Sequence, residues 1–334
     1  MKQNKEAYKR LWKLLQIGAI VFFLALLVIG VLTLWTTSAE TQAHIVPSYP
    51  QENIDQLLQK EKLNESDYRL LFEQTGLSKS GVDYLFSHNR QQELLQLQKY
   101  YFAKVKVACN ANTIITREER IAELQLPEDD YNIYNFGRSG ASEAIDRTRV
   151  SIPYIEAGDI LITFNCHAFG WRNGHAALVV DGEKRLALEA SVLGTDSAIM
   201  SMAHWERYPS FAVLRLKDAT KETRAEIAAY AAGYLSDIPY RLESGIYERM
   251  KERLIVADRR QWEQEKVAKK KTSVSETITG THCAHLVWYA YQQFGYDLDS
   301  DEGIIVTPRD LYESANLEIV QIYGMPAYSA PTGN

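Results

Sequence analysis

Cysteine is scarce: the 334 residues hold three, Cys109, Cys166 and Cys283. Three cannot build the dense disulfide framework that replaces a core in small secreted domains. One Cys109–Cys166 bridge is open to an oxidising compartment; two free, buried thiols are the plainer reading. A basic excess is also missing. The formal net charge is −6, so no positive field covers the chain, and nucleic acid is disfavoured as a partner. No internal repeat is visible. What remains is ordinary for a globular protein: 46% of the residues are hydrophobic and 20 are tyrosine. A packed core is therefore feasible, and wholesale disorder is not indicated.

Residues 17–35 form an apolar run broken only by small residues and Thr33. At about 1.5 Å per residue, a helix of this length just spans a hydrocarbon core of about 30 Å. Lys2, Lys5, Lys9, Arg10 and Lys13 precede it, opposed only by Glu6. Basic flanks stay cytoplasmic, which predicts residues 1–16 inside and everything after Trp35 outside. Trp12 and Trp35 suit the two interfaces. The rival is a cleaved signal peptide with a small-residue site near Ser38–Ala39, but its apolar core is usually shorter, about 7–15 residues. A buried helix of a soluble protein ranks last, because the run has no polar face and follows a basic flank.

Residues 36–50 are polar with two prolines and read as a stalk. Residues 51–105 read as a helical module. Ser66 is placed to cap a helix ended by Gly76, and Ser78 to open the next, with Val82, Leu85 and Phe86 on one face. A third helix from about Arg90 carries Leu94, Leu95, Leu97 and Tyr101. The pattern mimics a helix-turn-helix reader but lacks a basic recognition face, so a packing module or groove wall is the better expectation. Residues 106–152 are mixed, with a turn-rich patch at 135–140. Short β-rich runs follow at 159–164, 175–180, 185–190 and 211–216, and the second and third are joined by Asp181-Gly182 turn chemistry. Thr220 caps an Ala-rich helix to about Leu235. Residues 241–280 carry both charge signs densely and read as an exposed insertion. Residues 281–294 have helical spacing of Leu286, Val287, Ala290, Tyr291 and Phe294. Thr307-Pro308 opens a short helix, 317–323 closes as a strand, and 326–334 is a tail. The class is α+β.

The chemistry concentrates at two places. Thr281-His282-Cys283-Ala284-His285 puts a cysteine in the first turn of a helix, where free N–H groups and the dipole favour a thiolate. Gly174-His175-Ala176-Ala177-Leu178 starts an apolar strand with a histidine that a rigid strand end can hold as a base. Counting outward from the hairpin turn sets Glu189 opposite His175, give or take a residue, where it can orient the imidazole. Each feature has a plain alternative: a packed thiol, a core histidine, an edge carboxylate. One geometric arrangement uses all three.

Gly158-Asp159-Ile160-Leu161, Gly174-His175-Ala176-Ala177-Leu178-Val179, Leu188-Glu189-Ala190 and His282-Cys283-Ala284-His285-Leu286-Val287-Trp288 together resemble the NlpC-type superfamily of papain-like cysteine hydrolases. Histidine and polar residue precede the cysteine, the order of its circularly permuted, YiiX-like branch, which also resembles lecithin–retinol acyltransferases. The resemblance spans about residues 158–323 and implies a small antiparallel sheet packed on a cysteine-bearing helix, within a hydrolase domain at 106–325. It implies Cys283 as nucleophile and His175 as base. Glu189 sits at the third position, where many members carry histidine, asparagine or glutamine. Pro239-Tyr240 resembles a pair seen in this branch and makes Tyr240 a candidate substrate-lining residue. The implied reaction cleaves an amide or ester through a thioester without a cofactor. The implied substrate is a cell-wall (peptidoglycan) peptide, or an acyl group in a lipid-directed acyltransferase or esterase.

Three rivals stand beside this reading. A zinc site would draw on Cys166, His167, His175, His282, Cys283 and His285, but these spacings fit no standard finger. Residues 297–301 hint at a calcium loop, yet Glu302 occupies the position that needs glycine and Pro308 the one that needs glutamate, so an acidic surface turn is expected. A non-catalytic cell-wall binding module would keep the fold and lose the site.

Overall fold

The computed structural model describes residues 12–29, 45–103, 150–164, 174–191, 194–208, 210–246 and 278–325. Cys109, Cys166, the turn-rich patch at 135–140 and the 247–277 part of the charged insertion lie outside the described residues. One helix among those described, α1 (Trp12–Ile29), is long and apolar enough to cross a membrane, and none of it is buried. A signal sequence meets the same criterion. The helix starts before residue 17, where the apolar run was expected to begin, because Trp12 to Gln16 continue its backbone; residues 30–35 lie outside the described residues.

The remaining elements form an α+β unit. They are α2 (Glu65–Thr75), α3 (Lys79–Ser87), α4 (Glu93–Tyr101), β1 (Ile160–Thr163), β2 (His175–Asp181), β3 (Leu186–Glu189), β4 (Ala198–Ser201), a 3-10 helix (Met202–Arg207), β5 (Phe211–Leu216), α5 (Lys221–Tyr234), α6 (Cys283–Gln292), α7 (Pro308–Glu313) and β6 (Leu317–Tyr323). The six strands make one antiparallel sheet in the order β4-β3-β2-β1-β5-β6. Its central strands are buried along both faces, as expected of near-continuous apolar runs such as Ile160-Leu161-Ile162.

Local signals set most of the boundaries. Thr220 accepts from the Thr223 N–H at the start of α5. Thr307 and Asp310 form a reciprocal capping box with Pro308 at the first position of α7. At α2 the cap is Asn64 and not Ser66. The Asn64 side chain accepts from Asp67 N–H while the Asp67 carboxylate accepts from Asn64 N–H, and this two-way bond, worth about 1 kcal/mol, leaves Ser66 inside the helix.

The α2–α3 connection covers the outer edge of β6. Leu77 pairs with Gln321, Ile322 N–H donates to Gly76 O at 2.8 Å, and Ser78 N–H donates to Val320 O at 2.8 Å. Unpaired edge groups are thereby satisfied. Gly76 is required here: its φ is +70°, and a Cβ would stand 2.0 Å from Ile322 O. Buried residues of α2–α4 and of the sheet belong to one hydrophobic cluster. On the inner side, α5 and α6 pack on β2 and on each other, and α7 packs on α6, β1 and β6.

Beyond β4 a second chain of backbone pairs runs toward α6. Ser197 N–H donates to Ile238 O, Tyr240 N–H to Thr195 O, Thr281 N–H to Pro239 O, and Arg241 N–H to Thr281 O, at 2.7 to 3.0 Å. The residues before α6 are therefore tied to the sheet through Pro239 and Tyr240. The start of β1 is fixed from the opposite side. Asp159 is fully buried and takes both Arg215 Nε and Nη2 at 2.7 Å. Burial alone would lower the Arg215 pKa; its bonds to Asp159 and the charges of Asp159 and Glu156 raise it, so the guanidinium stays charged. Tyr291 of α6 donates to Gly158 O, joining the helix to the same corner.

Candidate active site

Helix α6 carries Cys283 at its first position. His282 is the N-cap, with extended backbone, and its Nδ1 accepts from the His285 N–H at 3.4 Å. The early helix is buried nearly all round, from Cys283 through Trp288, and not on one face as its spacing suggested. It is enclosed by β2, α5 and α7, so tertiary packing overrides the amphipathic pattern. Cys283 is 8% exposed and is a free thiol.

Opposite it, Gly174 delivers His175 to the first position of β2. Gly174 has φ +76°, and a Cβ there would lie 2.6 Å from Thr163 O. His175 pairs in register with Thr163 of β1. The His175 and His282 imidazoles both act on the Cys283 thiol and lower its pKa, and the sulfur in turn raises that of His175.

The β2–β3 register differs from the expected one by two residues. Leu178 pairs with Leu188 and Val179 with Ala187, and an irregularity between Val179 and Asp181 absorbs an extra residue near the turn. Continuing that ladder sets Glu189 beside Ala177, a diagonal neighbour of His175. A two-residue offset keeps the same face of the sheet. The intended contact survives: His175 Nε2 and Glu189 Oε2 are 2.7 Å apart. A carboxylate only accepts, so Nε2 carries the proton and Nδ1 is left to serve the sulfur.

Two residues that sequence reasoning missed complete the arrangement. Trp205 donates its Nε1–H to Glu189 Oε1 at 2.8 Å, and its ring stacks on the His175 imidazole at 5.4 Å and 13°. His204 Nε2 lies 3.2 Å from the same Oε1. Both are fully buried and sit on the 3-10 helix Met202–Arg207, reached through the short edge strand β4. Glu189 itself is 1% exposed. A buried carboxylate without partners costs several kcal/mol, and here three groups gather on its two oxygens.

The electrostatics follow from these contacts. Burial alone would raise the Cys283 pKa; hydrogen bonds and charge from His175 and His282 outweigh it and lower the thiol to about 6. Burial alone would lower His175; its bonds to Cys283 and Glu189 and their charges raise it well above 6.5. Burial would also raise Glu189, but the imidazoles of His204 and His175 take it below the ordinary carboxylate range. Both shifts run in the direction that favours the thiolate–imidazolium form of the pair.

Tyr240 is partly buried beside the α6 lead-in, in a parallel bridge with Thr281. Of the residues a zinc site would draw on, Cys166 and His167 lie outside the described residues. Among the described residues, the ligand atoms of Asp299, Asp301 and Asp310 lie within 4.8 Å of one another. Asp310 is already the capping residue of α7, bonded to Thr307 N and Oγ1 at 2.7 Å.

No family model and no curated protein matches this chain. Among solved structures, the chain is similar to the crystal structure of metalloprotein yiiX from Escherichia coli O157:H7, at 13% identity and a TM-score of 0.35. The match covers 51% of this chain and 98% of that one.

Proposed function

We propose that this chain is a membrane-anchored, extracytoplasmic cysteine hydrolase of the permuted NlpC-type superfamily, cleaving an amide bond in cell-wall peptide. The observation that carries the reading is the His175 imidazole, which Glu189 holds at 2.7 Å and which also lowers the Cys283 thiol. The order of motifs along the chain and the packing of the cysteine helix on β2 support a permuted papain-like domain. The basic flank before the apolar helix supports an N-terminus inside and a catalytic domain outside. We divide the chain accordingly into anchor, stalk, helical module and hydrolase domain with a charged insertion.

In this mechanism the Cys283 thiolate attacks the carbonyl carbon, and the π electron pair moves to oxygen. Backbone N–H groups at the start of α6 face the developing charge. As the tetrahedral species collapses, His175 gives its Nδ1 proton to the leaving amine and a thioester remains on Cys283. Water then attacks, with neutral His175 accepting its proton, and the acid leaves. Glu189 keeps the imidazole in the tautomer and orientation these steps need.

The test incubates the full chain, in detergent, with muropeptides and separately with acyl lipids, beside Cys283→Ala. Peptide cleavage lost in the variant supports the reading. Acyl-lipid turnover alone would move it to the lipid-directed acyltransferase of similar motif order. Equal activity in both proteins would exclude Cys283 as nucleophile, and binding without turnover would leave a wall-binding module.

A further inference from the structure

His282 is more than the cap of α6. The ring is 5% exposed and belongs to the residue directly before Cys283, at the mouth of the same helix. Its Nδ1 accepts a backbone N–H from His285. An imidazole nitrogen that accepts cannot carry the proton, so the proton is on Nε2. That Nε2 is buried and has no hydrogen-bond partner among the described residues. Buried donors are nearly always satisfied, and an orphan beside a nucleophile calls for a group that arrives with the substrate. His175 does not fill this role, because Glu189 holds its Nε2 and the proposed reaction uses its Nδ1 to move the proton.

We propose that His282 is a second catalytic histidine, which donates its Nε2–H to the oxyanion formed when Cys283 attacks a carbonyl. This deepens the hydrolase reading and rests on it. The Sγ–C bond forms, the carbonyl π pair moves onto oxygen, and that oxygen accepts a hydrogen bond from Nε2 without taking the proton. On collapse the pair returns to the carbonyl, the bond to the leaving group breaks, and the leaving group takes its proton from His175. His282 thus ends the cycle as it began. The assignment also separates the two imidazoles by duty: one moves protons, and the other holds charge and caps the helix.

The two jobs of His282 are separable by substitution. Asparagine reproduces the Nδ1 acceptor and is a favoured N-cap, but lacks the reach of Nε2. Glutamine reproduces the position of Nε2–H and loses the cap. The full chain is treated with p-nitrophenyl acetate, which acylates sulfur through an oxyanion, and with iodoacetamide, which alkylates it without one. The ratio of the two second-order rates at one pH cancels any change in thiolate fraction. His282→Asn should lower the ratio about 100- to 1,000-fold, the usual loss for one oxyanion donor, with the melting temperature kept. His282→Gln should recover at least about tenfold of the ratio and melt lower. His282→Ser, another good cap without reach, serves if the asparagine variant misfolds. An unchanged ratio in His282→Asn or His282→Ser would overturn the donor role while leaving Cys283 as nucleophile. A wild-type chain that is alkylated but never acylated would end the hydrolase reading, and the donor with it.

Discussion

His175→Ala isolates the contact between strand β2 and helix α6. In the wild type the thiol is lowered to about 6 by His175 and His282. At pH 7 about nine-tenths of Cys283 is then thiolate, whereas an unperturbed thiol near 8.5 is only about 3% ionised. The variant keeps the burial that raises the thiol and loses the first of the two groups that lower it. Its reaction with iodoacetamide at pH 7 should fall by up to about 30-fold, a difference of about 2 kcal/mol. The assay is the alkylation rate measured from about pH 5 to 10, followed by intact mass. The inflection should move upward by one unit or more, with a similar plateau at high pH. An inflection that stays near 6 in His175→Ala would mean that the imidazole does not touch the sulfur, and the dyad would fail with it.

Other consequences follow from the same contacts. Turnover against pH should rise through about 6 as Cys283 ionises, and fall where His175 loses its proton, well above 6.5; a flat profile across this window would contradict the ion pair. Trp205→Phe keeps a ring on His175 and removes the donor to Glu189. The loss of one hydrogen bond to a charge, about 1.5 kcal/mol, should lower kcat/KM roughly tenfold, read by steady-state kinetics beside urea unfolding. Asp159→Ala leaves the Arg215 charge buried without its bidentate partner. It should cost about 3–5 kcal/mol in denaturant titration, far more than a surface aspartate.

The site was legible where local chemistry decided it. Cys283 at a helix start, His175 after a glycine at a strand start, and the caps at Thr220 and Thr307 each depend on neighbours within four residues. The sheet was partly legible: β2 and β5 have strong apolar runs, and Asp181-Gly182 marks the hairpin between β2 and β3. The β2–β3 register was off by two because the irregularity after Val179 leaves no mark in a hydrophobic pattern. The His175–Glu189 contact survived because even slips preserve the face. Trp205 and His204 were invisible for a different reason. They follow a four-residue edge strand, Ala198-Ile199-Met200-Ser201, with two exposed and two half-buried residues and no alternation to read. The extra bonds on Glu189 come from this segment folding back across the sheet end, which no local rule predicts. Ser66 and Asn64 show a finer limit: both are good caps, and the reciprocal bond with Asp67 selects between them.

The central claim, that Cys283 carries the acyl group during turnover, is tested most directly by acid-quenching the full chain during reaction with muropeptides and acyl lipids and mapping its peptides by mass. The account predicts a hydroxylamine-labile acyl adduct on the peptide containing Cys283, accumulating in wild type and absent from Cys283→Ala. Turnover of either substrate with Cys283 unmodified at every time point, undiminished in Cys283→Ala, would contradict it.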